Sequence, residues 1–184
     1  MTTPGNVGRD EHLRLFCALR VPEDVLDGIQ AWQAAQLRDG RIVPREHLHL
    51  TLAFLGRRPA AELPSISTAL ANAAREAGEI LFSPRRYRET RSVGMLVFDD
   101  PTKGGERLAG RLFDALEELG VYERERRPWL PHITVLRFRG APKLDPPVPD
   151  LEPFEPSDAA VYISRLRPSG AQYEVLESVP LGGD

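Results

Sequence analysis

Apolar and polar positions alternate along residues 12–19, where Leu13, Leu15, Cys17 and Leu19 share one face of a predicted strand. The period then lengthens. After Pro22, which suits a helix's first turn, Val25, Leu26, Ile29, Trp32 and Ala35 form a stripe at helical spacing that Asp39-Gly40 ends. A short extended piece, Arg41-Ile42-Val43, leads through Pro44 into a strand that carries His47-Leu48-His49-Leu50-Thr51-Leu52 and stops at Gly56. Leu63, Ile66, Leu70, Ala73, Ala74 and Ala77 mark a second amphipathic helix, closed by Gly78 as a left-handed cap.

Two strands are expected next, one entered through Ile80-Leu81-Phe82 and containing Tyr87, the other over residues 93–98. Asp99-Asp100-Pro101-Thr102 is a helix start, and Leu108, Leu112, Leu116 and Leu119 make a third stripe that ends at Gly120. Pro128-Trp129-Leu130-Pro131 precedes a strand with His132-Ile133-Thr134-Val135, in which Trp129 reads as an anchor. The prolines of residues 140–156 preclude a central strand and predict a surface loop. Residues 159–166 and 173–179 read as a closing hairpin.

The order is a β-α-β-β type of unit occurring twice. It predicts an α+β protein with largely antiparallel sheet in two similar lobes. Residues 1–10 read as a flexible N-terminal segment, and residues 11–184 as a single bilobal domain.

Both halves contain His-x-Thr. Side chains along a strand alternate between faces, so His49 and Thr51 share one face while Leu48, Leu50 and Leu52 take the other. His132 and Thr134 do the same against Ile133 and Val135. Two polar pairs on apolar strands predict a shared cleft. Two imidazoles facing one substrate supply a base and an acid near neutral pH, which in-line displacement at phosphorus requires. The threonine hydroxyls can donate to non-bridging phosphate oxygens, and Arg137 can bind the same oxygens with paired donors. Strict alternation sets Arg137 on the face opposite His132, so it reaches the phosphate only if the strand twists or bulges. A rival reading of the same residues is a metal site, with His47 and His49 on one face and His132 as third ligand. No carboxylate or cysteine in either motif supports it, and no metal or other cofactor is expected.

Composition narrows the partner. A net charge of −3 argues against coating long nucleic acid, whose affinity comes from neutralising many phosphates, but leaves a short or terminal phosphate open. Only Lys103 and Lys143 are lysines, so nearly all the positive charge is arginine. The lone Cys17 reads as a small buried apolar residue. No secretion-type leader or membrane-length apolar run is evident, and the expectation is a cytoplasmic monomer.

These residues resemble the two-histidine (2H) phosphoesterases, and within them the bacterial and archaeal RNA 2′,3′-cyclic phosphodiesterases once called 2′-5′ RNA ligases. Arg14-Leu15-Phe16-Cys17-Ala18-Leu19-Arg20-Val21-Pro22 is similar to the family's opening strand. His49-Leu50-Thr51-Leu52-Ala53-Phe54-Leu55-Gly56 matches its first motif, and residues 127–137 match its second. Residues 162–166 and 170–176 resemble its C-terminal hairpin. The resemblance implies helices outside a central cleft and cofactor-free hydrolysis of RNA or nucleoside 2′,3′-cyclic phosphates to 2′-phosphomonoesters, with reversible 2′-5′ joining. It implies His49 and His132 as the catalytic pair, with His132 as base and His49 as acid or the reverse. Thr51, Thr134 and Arg137 would hold the phosphate, and Phe16 would contact a base. The partners implied are RNA ends or small cyclic nucleotides. A module that only binds RNA ends is the alternative, although binding alone needs no titrating group on each side.

Three residues depart from the family pattern. His47 stands where asparagine is common, Gly94 lies near a frequent tryptophan, and Cys17 replaces a common phenylalanine. Tyr87 among Arg85, Arg86, Arg88 and Arg91 reads mainly as a solvated strand face.

Overall fold

The computed structural model describes residues 11–182; the expected flexible segment, residues 1–10, lies outside the described residues. The first strand, β1 (His12–Arg20), is followed by helix α1 (Glu23–Gln36) and the two-residue strand β2 (Arg41–Ile42). Then come β3 (Leu50–Pro59), α2 (Leu63–Glu76), β4 (Ser83–Glu89), β5 (Val93–Asp99) and α3 (Gly104–Glu118). The chain closes with β6 (His132–Arg137) and the hairpin β7 (Asp158–Arg167) and β8 (Gly170–Val179). Among the described residues, no helix is long and apolar enough to cross a membrane.

The strands form one antiparallel sheet in the order β4-β5-β6-β3-β1-β7-β8, with β2 on β6. The two halves meet at a narrow waist, where β3 and β6 share a single registered pair, Leu50 with Ile133. Both residues are fully buried. One core side of the sheet takes Leu13, Leu15, Cys17 and Leu19, as alternation predicts, and packs against the apolar stripes of the helices. A smaller cluster of Phe16, Ala18, Ala160 and Tyr162 lies on the other side, the side of the cleft.

Three local departures from the expected pattern matter. The strand of the first motif does not begin at the histidines: residues Arg45–His47 form a 3-10 turn, and pairing starts at Leu50. The reason is that β6 offers one edge to two partners. Its end pairs with Arg41 and Ile42, its beginning with Leu50, and the intervening chain must loop between them. Gly56 does not stop the strand either; its φ of +69° is accommodated inside β3, which continues to Pro59. The proline-rich residues 140–156 contain no helix or strand, but they are tied down. Trp32 Nε1 donates to the carbonyl of Pro147 at 2.7 Å, Glu89 accepts from the amides of Lys143 and Leu144, and Phe154 bridges Phe82.

Gly94 and Tyr87 explain each other. A β-carbon on Gly94 would lie 2.3 Å from the Tyr87 hydroxyl, so the tyrosine ring occupies the space a larger side chain would need. That hydroxyl donates to Glu89 at 2.8 Å and the ring stands 6.2 Å from Trp32. Tyr87 is thus committed to packing against the core and not to a solvated face.

Candidate active site

Antiparallel pairing of Leu50 with Ile133 fixes what surrounds it. One step to either side, the register sets His49 across from Thr134 and Thr51 across from His132. The two pairs share the cleft face, and all four side chains line one cavity of about 270 Å³. Arg137, Phe16, Phe54, Arg14, His47 and Tyr173 line it too.

Bulges complete the set. On β6, Met95 pairs with Thr134 but Gly94 pairs with Leu136, so Val135 is an extra residue and the alternation resets. Val135 and Leu136 are both buried on the core side, and Arg137 turns into the cleft. The bulge that Arg137 needs is therefore present. Buried Gln33 of α1 supports it: Nε2 donates to the carbonyls of Val43 and Val135 at 3.1 and 3.0 Å, and the amide of Val43 donates to Val135 as well. On β3, register shifts against β1 skip Leu52 and Leu55, which brings Phe54 to the cleft face in the place that Arg137 holds on β6. Each histidine is thus followed by a threonine two residues on and, across a bulge, a cleft side chain five residues on.

The two imidazoles sit in unlike surroundings. Nδ1 of His132 donates to the carbonyl of Leu130 at 2.8 Å, which leaves Nε2 as the nitrogen free for chemistry. His49 stacks on Phe16 at 5.1 Å and on Tyr162 at 5.6 Å, with Tyr173 edge-on at 5.6 Å. Its Nε2 lies 3.1 Å from the Thr51 hydroxyl, while Nδ1 is enclosed without a hydrogen-bond partner. Burial, helped by the nearby His47, His132 and Arg137, pushes its pKa down to about 4; the His47 backbone acts in the opposite direction. His49 is therefore uncharged near neutral pH. Trp129 ties the two motifs together by donating Nε1–H to the carbonyl of Thr51 at 3.0 Å.

Phe16 is only 3% exposed. With one ring neighbour in His49 and another in Tyr162 at 4.8 Å, it forms a wall against the imidazole, and the most exposed aromatic ring lining the cleft is Phe54, 49% exposed. His47 stands on the 3-10 turn with its ring 4.3 Å from Tyr173. Among the described residues, no three histidine, cysteine, aspartate or glutamate side chains converge as a metal-binding set.

The family model described as the 2′-5′ RNA ligase superfamily matches residues 21–167. The chain belongs to this superfamily. A superfamily relative from Thermus thermophilus, named RNA 2′,3′-cyclic phosphodiesterase, is 35% identical over 190 residues, covering 94% of this chain and 92% of the relative. One of the same name from Escherichia coli is 31% identical, with 91% and 96% covered. The crystal structure of E. coli LigT complexed with 3′-AMP superposes with a TM-score of 0.82 at 28% identity, over 93% of this chain and 99% of that one.

Three cleft residues of this superfamily member, Arg14, Phe54 and Tyr173, are not singled out by its motifs, nor is Gln33, which braces the site from behind. Alternation puts Phe54 on the core side, so only the bulge at Leu52 reveals it. Tyr173 arrives from the far end of the chain, and Gln33 acts from a helix through backbone carbonyls.

Proposed function

We propose that this cleft opens 2′,3′-cyclic phosphates, at RNA ends or on nucleosides, to 2′-phosphomonoesters by acid–base chemistry of its two histidines. The observation that carries the reading is the Leu50–Ile133 pairing, which sets two His-Thr pairs face to face around one cavity. The names of the T. thermophilus and E. coli relatives support the reaction, and LigT's binding of 3′-AMP supports a nucleotide in the cleft.

In this reading Nε2 of His132 takes a proton from water. The water oxygen bonds to phosphorus, the bond from phosphorus to O3′ breaks, and His49 delivers a proton to O3′. Thr51, Thr134 and Arg137 donate to the non-bridging oxygens as their charge grows. Burial holds the pKa of His49 near 4, so the anionic phosphate has to raise that value for His49 to arrive protonated. With a 5′-hydroxyl in place of water, the same displacement joins a 2′-5′ linkage.

Chelator-treated protein incubated with 2′,3′-cyclic AMP tests this. The expected product is 2′-AMP, and His49→Ala and His132→Ala each lower turnover by roughly a hundredfold or more. Formation of 3′-AMP, or retained turnover in either variant, overturns it.

A further inference from the structure

The cleft face carries two arginine pairs that, among the described residues, no carboxylate neutralises. Arg14 on β1 is the cross-strand partner of Arg57 on β3, and Arg41 on β2 is the partner of Arg137 on β6. Directly opposed like charges destabilise a sheet, so each pair works against the fold that holds it. Among the described residues, none of the four lies within ion-pair distance of an acidic side chain, although the chain carries net charge −3. The neighbouring residue shows the contrast. Arg58, which faces the other way opposite Leu13, is clasped by Glu62 at 2.6 Å.

Register also locates the first pair. Phe16 pairs with Phe54 and Ala18 with Thr51, so Arg14 and Arg57 stand on the Thr51 face, four residues of β1 beyond the His-Thr centre. That is about 13 Å along the strand. Arg14 lies with its guanidinium 5.1 Å from the centre of the Phe54 ring, and both arginines are exposed. The Arg14 side chain reaches back to the rim of the cavity and Arg57 stands outside it, where the chain of an oligonucleotide extends beyond a cyclic phosphate held between His49 and His132.

We infer that Arg14 and Arg57 form a subsite for a backbone phosphate of an oligoribonucleotide whose terminal cyclic phosphate occupies the His-Thr centre. Two arginines paired across adjacent strands on one face can both donate to a single phosphodiester. The inference rests on the proposed cyclic phosphodiesterase activity and adds the reason for a preference: a chain of several nucleotides gains contacts that a mononucleotide lacks.

The test compares kcat/KM for 2′,3′-cyclic AMP with that for a short oligoribonucleotide ending in a 2′,3′-cyclic phosphate, in the wild type and in Arg57→Gln. Arg57 is exposed and outside the catalytic centre, so the mononucleotide reaction serves as the control for folding. The wild type is expected to favour the oligonucleotide, and Arg57→Gln to lower kcat/KM for the oligonucleotide roughly tenfold, leaving 2′,3′-cyclic AMP unchanged. Its plot of log kcat/KM against log salt should be shallower by about 0.7, one phosphate contact on a single strand. Equal wild-type efficiency on both substrates, or an equal or absent effect of Arg57→Gln on both, overturns the subsite. Failure of the wild type to open either substrate overturns the underlying activity instead.

Discussion

Leu50 and Ile133 are the only residues through which β3 and β6 register with each other, and each is the residue between a histidine and a threonine. One apolar contact thereby aligns both polar pairs. Filling this waist matters twice, because a cavity here removes burial energy and frees the two halves to shift. Ile133→Ala is expected to destabilise the protein by about 2–5 kcal/mol in equilibrium urea unfolding. It should also lower turnover under conditions where the variant is still folded, with loss in kcat exceeding loss in substrate affinity. Wild-type kcat in the folded variant would show that the waist does not set the histidines.

His49 offers a pH-dependent signature. Its pKa in the folded protein is about 4, against 6.5 for an ordinary histidine, because burial disfavours the imidazolium. The unfolded chain therefore binds more protons between these values, so stability rises with pH through that window. The contribution is fully present above about pH 6.5 and is lost as pH falls toward 4, at about 1–3 kcal/mol. His49→Gln should flatten this part of the stability–pH curve. In NMR titrations the ring should protonate near pH 4 when free and at higher pH with inorganic phosphate bound; identical curves would remove the phosphate from its role in charging His49.

Most elements are legible from periodicity because burial follows the helix period closely in α2 and α3, and because β1 sends alternate residues to opposite sides of the sheet. The His-Thr pairs are legible for the same reason. Alternation fails only where the ladder bulges, and the bulges are set by what lies across the strand. Val135 looks like any core valine until Gln33, Val43 and the Gly94–Leu136 pairing are seen together. The 3-10 turn of His47 is hidden likewise, since it arises from two strands competing for one edge of β6.

Gln33 gives that argument a measurable form. Gln33→Met keeps the volume but removes two hydrogen bonds, leaving the Val43 carbonyl without its side-chain donor while Val135 retains the amide of Val43. The expected cost is about 1–3 kcal/mol of stability. Because the same bond braces the bulge that aims Arg137, KM for a cyclic phosphate should rise as well, whereas kcat changes less. An unchanged KM in a destabilised variant would limit Gln33 to folding.

His47 and Tyr173 allow a cleaner separation of roles. The His47 ring lies against Tyr173 at 4.3 Å and lines the cavity, but it holds none of the positions that face a threonine across the waist. Its electrostatic action on His49 is to lower the pKa, as a like charge must. His47→Asn removes that charge and should raise the pKa of His49, readable by NMR as a titration displaced to higher pH. The variant should still open 2′,3′-cyclic AMP, with its pH–rate profile displaced in the same direction. A loss of turnover comparable to that of His49→Ala would instead make His47 a third catalytic group.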